Sequence, residues 1–299
     1  MQRHFGEIRT CEALEMFTKL WYNESKKGGE KMSNFYYNNF PWFVRGENEK
    51  QFLYVSHKDS DWSHAEMDYE FSFDKDESKL EIGHFTQDAL EYFVVKYGKN
   101  YEHLYFNNAT RIKDFSPLGD LHNLKSVSIN WCRSERLWDM SGNTNLSNLW
   151  LSTAKKITRS LADINSCKNL ENLMISGDMD SPYPIHSFAC LAGMSKLQRI
   201  DLLDIKSEDH DMSFLEKLPN LKEFHFDAGM LTTEEIAYIC AKYPHLKGRS
   251  LAAFTTYFTL NDVRICGYRK PGLDLPEQQA RFDQYVVDFN TLVEKYKKI

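Results

Sequence analysis

The sequence predicts an α/β fold: a solenoid with a parallel sheet on its concave face, flanked by a small N-terminal α+β domain and a C-terminal strand–helix tail. Three observations predict it. An apolar phrase returns about every two dozen residues. Inside each copy, apolar and other residues alternate as they do along a strand. The chain before and after the repeated stretch lacks the phrase.

The phrase is L-x-x-L-x-x-L-x-L. It reads LHNLKSVSI from 121, CKNLENLMI from 167, MSKLQRIDL from 194 and LPNLKEFHF from 218, with weaker copies GKNYEHLYF from 98 and NTNLSNLWL from 143. The second apolar position falls on Tyr101, Leu124, Leu146, Leu170, Leu197 and Leu221, at intervals of 23, 22, 24, 27 and 24 residues. A fifth apolar position lies six residues earlier, at Val95, Leu118, Met140, Ile164, Leu191 and Leu215. Of these 30 positions only Gly98 and Asn143 are neither apolar nor Cys. A composition of 42% apolar residues would fill about 13 by chance.

On these residues the chain resembles the leucine-rich-repeat family, in particular its bacterial internalin-like short repeats; SPLGDLHNLKSVSI is the nearest copy. The resemblance covers residues 95–252 and implies a solenoid of about six to seven turns that binds other macromolecules. One column departs from the family. The Asn expected three residues past the last strand Leu is replaced by Ala109, Cys132, Ala154, Asp178, Ile205 and Gly229.

The flanks divide the rest of the chain. Residues 1–94 read as a capping domain: an amphipathic helix from Thr10 to Lys26, then the aromatic-rich segments FYYNNFPWFV, QFLYVSHK, YEFSFDKD and KLEIGHF, the last two joined as a hairpin by an acidic link. FTQDALEYFVVKYG reads as a helix leading into the stack. TTEEIAYICAKYPHLKGRSL reads as a final turn with a true helix, Thr232 and Glu235 forming a capping box. Residues 253–299 read as strands followed by a helix whose apolar face, Phe282, Val286, Phe289 and Val293, folds back onto this cap.

The bulk numbers exclude several functions. The 37 basic and 43 acidic residues give a net charge of -6, against a nucleic-acid footprint. No run approaches the 18 apolar residues of a membrane span, and no basic flank leads an apolar run at the start. The cysteines Cys11, Cys132, Cys167, Cys190, Cys240 and Cys266 are scattered without a CxxC, which fits free thiols in a reducing cytoplasm rather than a disulfide framework or zinc site. SEDHDM at 207–212 lacks the spacing of a calcium loop and reads as a solvated charged loop. No GxSxG, Walker loop, GxGxxG or HExxH occurs, so no cofactor, metal or catalytic residue is expected.

Binding is expected on the concave face, where residues between the core positions point away from the core. The central column is Tyr105, Ser128, Trp150, Met174, Asp201, His225 and Ser250. Tyr105, Trp150 and Met174, with Trp131, put large apolar groups where solvent is expected; Arg199, Asp201, Glu223, His225 and Asp227 turn the C-terminal half of the face acidic. Aromatic anchors beside an acidic patch suit a protein partner with a basic contact surface. The reading is a cytoplasmic, non-catalytic binding scaffold, one version being an immunity protein that neutralises a basic bacterial toxin. The alternatives are a secreted or surface adhesin of the internalin type, and an enzyme with its chemistry among Trp42, Arg45, His57, Asp61 and His64.

Overall fold

The computed structural model describes residues 53–56, 62–72, 78–178, 181–256 and 262–299. In chain order the first strands are β1 (Leu53–Ser56), β2 (Lys79–Gly83), β3 (His103–Asn107), β4 (Ser126–Asn130), β5 (Asn148–Ser152) and β6 (Asn172–Ser176). They are followed by β7 (Tyr183–Ile185), β8 (Arg199–Leu203), β9 (Ile205–Ser207) and β10 (Glu223–Phe226), then by β11 (Phe254–Thr256), β12 (Asp262–Ile265) and β13 (Gly272–Asp274). The α-helices are α1 (His64–Phe71), α2 (Gln87–Lys96), α3 (Lys155–Ser160), α4 (Thr233–Lys242) and α5 (Gln279–Tyr296).

One eight-stranded sheet runs β1-β2-β3-β4-β5-β6-β8-β10, parallel throughout. Its register joins like repeat positions: Leu104 pairs with Val127, Val127 with Leu149, Leu149 with Leu173, Leu173 with Ile200 and Ile200 with Phe224. These side chains are all fully buried in one core behind the sheet. The chain folds as a leucine-rich-repeat solenoid.

The sheet begins earlier than the repeat phrase. Leu53 pairs with Leu80 and Leu80 with Leu104, so two further coils precede residue 95 at the same period. The expected boundary at residue 94 therefore falls inside the stack. KLEIGHF supplies the strand residues Leu80 and Ile82 but lacks the L-x-x-L that should lead them, which is why the phrase misses it. The expected hairpin is also corrected, because Tyr69–Phe71 ends α1, whose Ser63–Glu66 capping box fixes its start, and β2 pairs in parallel. The segments Thr10–Lys26 and FYYNNFPWFV lie outside the described residues.

Three positions of the repeat differ from the expected columns, each for a physical reason. Val95 is 78% exposed, since α2 buries Ala89, Leu90, Phe93 and Val94 instead. At Gly98 a Cβ would come within 2.7 Å of a Leu121 methyl. Asn143 is 1% exposed in a Leu column, where its Nδ2 donates to Leu118 O (2.8 Å) and Leu121 O (2.9 Å) and its Oδ1 accepts from Trp138 Nε1 (2.7 Å).

The missing Asn column is explained by the main chain. The residue after five strands of the eight-stranded sheet takes a left-handed conformation: His84, Asn108, Trp131, Thr153 and Asp204 have φ of 60, 54, 52, 52 and 51°. Main-chain N–H groups at these turns bond the neighbouring coil, as in Ala109 N to Asn130 O (3.0 Å), Trp131 N to Ser152 O (3.0 Å) and Thr153 N to Ser176 O (2.9 Å). The backbone closes the turn, and small residues such as Ala109 and Ala154 fill the space beneath.

The last coil carries α4 behind the expected Thr232–Glu235 capping box. Strands β11, β12 and β13 form a small antiparallel sheet, and α5 lies against α4, with Tyr296 edge-on to Tyr238 at 5.6 Å and Phe282 edge-on to Phe254 at 4.7 Å. The apolar stripe of α5 is thus turned to the cap. Among the described residues no helix is long and apolar enough to cross a membrane.

Asn143→Leu, which restores the repeat consensus, is expected to destabilise the protein by about 3 kcal/mol, because two carbonyls and an indole N–H lose their buried partner. Urea unfolding checks this; a variant as stable as the parent would refute the role assigned to the amide.

Candidate functional site

The face opposite the core carries the predicted central column from Tyr105 to His225 as one unbroken row, which Glu81 extends; Ser250, its last expected member, lies outside the strand ladder, buried, with its hydroxyl donating to Phe226 O (2.6 Å). Glu81 pairs with Tyr105, Tyr105 with Ser128, Ser128 with Trp150, Trp150 with Met174, Met174 with Asp201 and Asp201 with His225. None of these lies in the main apolar core. Beside the row, Asn148 Nδ2 donates to Ser126 Oγ (3.1 Å) and Asn172 Nδ2 to Asn148 Oδ1 (2.7 Å), a ladder of side-chain bonds that runs toward Arg199.

The expectation that Tyr105, Trp150 and Met174 are open to solvent is corrected: they are 2%, 1% and 0% exposed. The Tyr105 and Trp150 rings lean together over Ser128, stacked at 6.3 Å and 27°. The Tyr105 hydroxyl accepts from Asn130 Nδ2 (3.2 Å), and Trp150 Nε1 reaches Ser176 Oγ at 3.4 Å. Under the rings Ser128 Oγ has no hydrogen-bond partner, nor does Asn130 Oδ1. Trp131 is placed differently. It is 44% exposed, in its left-handed turn after β4, three strands from β8.

The other five predicted residues are brought together at the C-terminal end of the sheet. The Arg199 guanidinium grips Asp201 through Nε (2.6 Å) and Nη2 (2.9 Å) and donates to Glu223 through Nη1. His225 Nε2 meets Glu223 Oε2 at 3.1 Å, while its Nδ1 accepts from Arg249 N at 3.3 Å; the tautomer protonated at Nε2 serves both. Asp227 takes a charge-assisted bond from Arg249 Nη2 (2.8 Å) and also accepts from the Asp204 main-chain N–H. Asp201 is buried at 5% exposure, whereas the Glu223 and Asp227 side chains keep 39% and 38%. Two arginines thus face four carboxylates, counting Asp204, in one half-open network.

Two members were missed in the sequence. Arg249 stands in the final turn where an apolar residue would continue the repeat, and its guanidinium pairs with Asp227 instead. Asp204 gave no signal, because its effect depends on proximity. Burial, helped by Asp227 and Asp178, pushes its carboxyl up to about 6. At the other end of the sheet, burial and the neighbouring Lys79 and Lys125 push His103 down to about 4, and its Nδ1 has no hydrogen-bond partner.

Of the enzyme candidates His64 alone lies among the described residues. His64 stacks on Tyr92 at 3.7 Å and pairs with Asp88 at 3.0 Å; Trp42, Arg45, His57 and Asp61 lie outside the described residues. In the 207–212 loop, Asp209 and Asp211 accept from main-chain N–H groups of their own turn at 3.1 and 2.8 Å, and His210 pairs with Glu235 at 3.2 Å. Among the described residues no group of three or more His, Cys, Asp or Glu side chains could hold a metal ion. The five described cysteines are free, and burial pushes their thiols up to about 11 or 12.

No protein-family model matches the sequence, and no curated protein is similar to it. Solved structures that the fold is similar to include the following two. Both are internalins of Listeria monocytogenes. Internalin C2 is 19% identical with a TM-score of 0.37, over 50% of this chain and 62% of that one. Internalin F is 20% identical with a TM-score of 0.35, over 58% of this chain and 55% of that one. The chain spans less than two thirds of the length of either. The fold assignment stands on the ladder of strands and its repeat.

Two outcomes follow from the burial. Tyr105→Ala and Trp150→Ala should each destabilise by about 3–5 kcal/mol, as truncation of buried aromatics does; melting temperatures within a degree or two of the parent would contradict their burial. For Asp204 the folded pKa is raised, so folding loses stability as pH climbs from 3.8 to about 6, and the loss persists above. Asp204→Asn removes that loss. It should stabilise the protein by about 2 kcal/mol near pH 7.5, after discounting for partial exposure, and by nothing near pH 4. Chemical unfolding at both pH values reads the difference, and a gain that persists at the lower pH would exclude the carboxyl as its source.

Proposed function

We propose that the chain is a non-catalytic scaffold that binds a protein through the C-terminal half of its concave sheet, the partner presenting a basic contact surface. One observation carries the reading. On a face whose centre is buried, Arg199, Glu223, His225 and Asp227 stay partly exposed and carry an excess of carboxylates over arginines. The arginines hold the carboxylates in fixed positions, so little side-chain freedom is lost when a cation arrives. Their negative field also raises the encounter rate with a basic protein. Trp131 adds a separate exposed aromatic anchor held in a left-handed turn, a conformation that persists only where the surroundings enforce it.

The network favours binding over catalysis, since Asp201, Glu223, Asp227 and the His225 imidazole are each already bonded to another member and none of the four is paired with a nucleophile. The version that best fits the charge and the free thiols is a cytoplasmic immunity-type inhibitor of a basic bacterial toxin.

The test is capture from the native host by affinity-tagged full-length chain, comparing the parent with Glu223→Gln/Asp227→Asn and with Trp131→Ala. The parent should retain a basic protein that about 0.5 M salt releases, and each variant should retain roughly tenfold less at unchanged melting temperature. Equal retention by the charge-neutralised variant would remove the acidic network from the interface.

A further inference from the structure

Away from the concave face, at the C-terminal cap, the 3₁₀ turn Ser213–Lys217 and the helices α4 and α5 enclose an open cleft of about 350 Å³. Its walls are Tyr238, Tyr243 and Tyr296, and its rim carries Glu216 and Glu234. We propose that this cleft binds an organic ammonium ion: the end of a lysine side chain, primary or methylated, or a small free alkylammonium.

The chemistry of the walls selects that ligand class. An ammonium group is attracted to the face of an aromatic ring, and several rings at different angles surround it better than one. Tyr238 and Tyr296 meet edge to face, 5.6 Å apart and at 85°, so they present a corner of two ring planes. Tyr243 closes a third side. Burial, with the nearby Glu216 carboxylate and Tyr238, pushes its phenol up to about 12, so it stays neutral and keeps its ring and hydroxyl as the contact. Glu216 and Glu234 supply formal negative charge at the mouth, and both are exposed, hence already hydrated and not burdened by burial before binding.

The lining holds no Lys or Arg among the described residues, and its one histidine, His210, is engaged by Glu235 at 3.2 Å. Lys295 lies 5.7 Å from the Tyr296 ring centroid, so one face of that ring already accepts an ammonium group in the folded protein. A volume of about 350 Å³ admits the four-carbon stem of a lysine together with its head group, at the lower end of the range for small-molecule clefts. A carboxylate or phosphate ligand would meet four acidic side chains there (Asp211, Glu216, Glu234 and Glu235) and is disfavoured by their charge.

The site is independent of the acidic network on the sheet, and either can fail without the other. The experiment titrates the full chain, by calorimetry or amide chemical shifts, with Nα-acetyl-lysine methylamide, its trimethyl-lysine analogue, tetramethylammonium, and the neutral analogue that ends in a tert-butyl group. The cations should bind saturably in the millimolar range, and the neutral analogue at least about fivefold more weakly. Glu216→Gln and Tyr238→Ala should each weaken the cations about fivefold, while Tyr238→Phe, which keeps the ring, should not. Tighter binding of the lysine derivatives than of tetramethylammonium identifies a side chain of a partner as the source, and the reverse order a free amine. No saturable change with any cation up to about 50 mM, or equal binding of the neutral analogue, overturns the proposal.

Discussion

An in-register parallel ladder places each residue beside its counterpart in the coils before and after, roughly 4.8 Å away. Everything else in this molecule follows from that alignment. One coil cannot bury its own apolar face, so the Leu, Ile, Val and Phe of successive coils cover one another. The same alignment operates on the opposite face. Whatever occupies one position there meets the same position of its neighbour, so aromatic, amide and charged groups sort into rows. The stack Tyr105–Trp150, the ladder Ser126–Asn148–Asn172 and the network around Arg199 are three outcomes of one geometry.

Much of this was legible in the sequence because the core face obeys a rule of composition. Leu124, Leu146, Leu170 and Leu197 are buried for the reason their spacing announced. The row of the central column was legible too, since alternation along a strand fixes which residues share a face. Its exposure was not. Alternation says that Tyr105 points away from Leu104, but says nothing of what lies over it, and a large aromatic at a nominally outward position reads equally as an anchor or as a second layer of packing. The burial of Trp150 and Met174 decides for packing.

The departures from the repeat were illegible for a related reason: each depends on a partner from another coil. Asn143 breaks the apolar column because three buried polar groups surround it, and Gly98 because a Leu121 methyl takes its space. Asp204 is pushed up because folding buries it and sets it beside Asp227 and Asp178. The coils before residue 95 escaped notice because Leu80 and Ile82 alone carry the period there, without the L-x-x-L that makes it conspicuous.

The left-handed residue that follows five strands of the main sheet has a wider bearing. Because main-chain bonds, rather than an asparagine side chain, join one coil to the next at these corners, no asparagine is demanded there, although the corner after β6 needs glycine, since a Cβ on Gly177 would come within 2.1 Å of Asp204 O. The extra length of the 27-residue coil is accommodated in the return segment, where β7 and β9 form their own two-stranded sheet while β6 and β8 remain in step. The scaffold can therefore gain or lose residues along its return path during evolution without disturbing the alignment of the rows, so the composition of the gripping face and the girth of the coil are free to diverge separately.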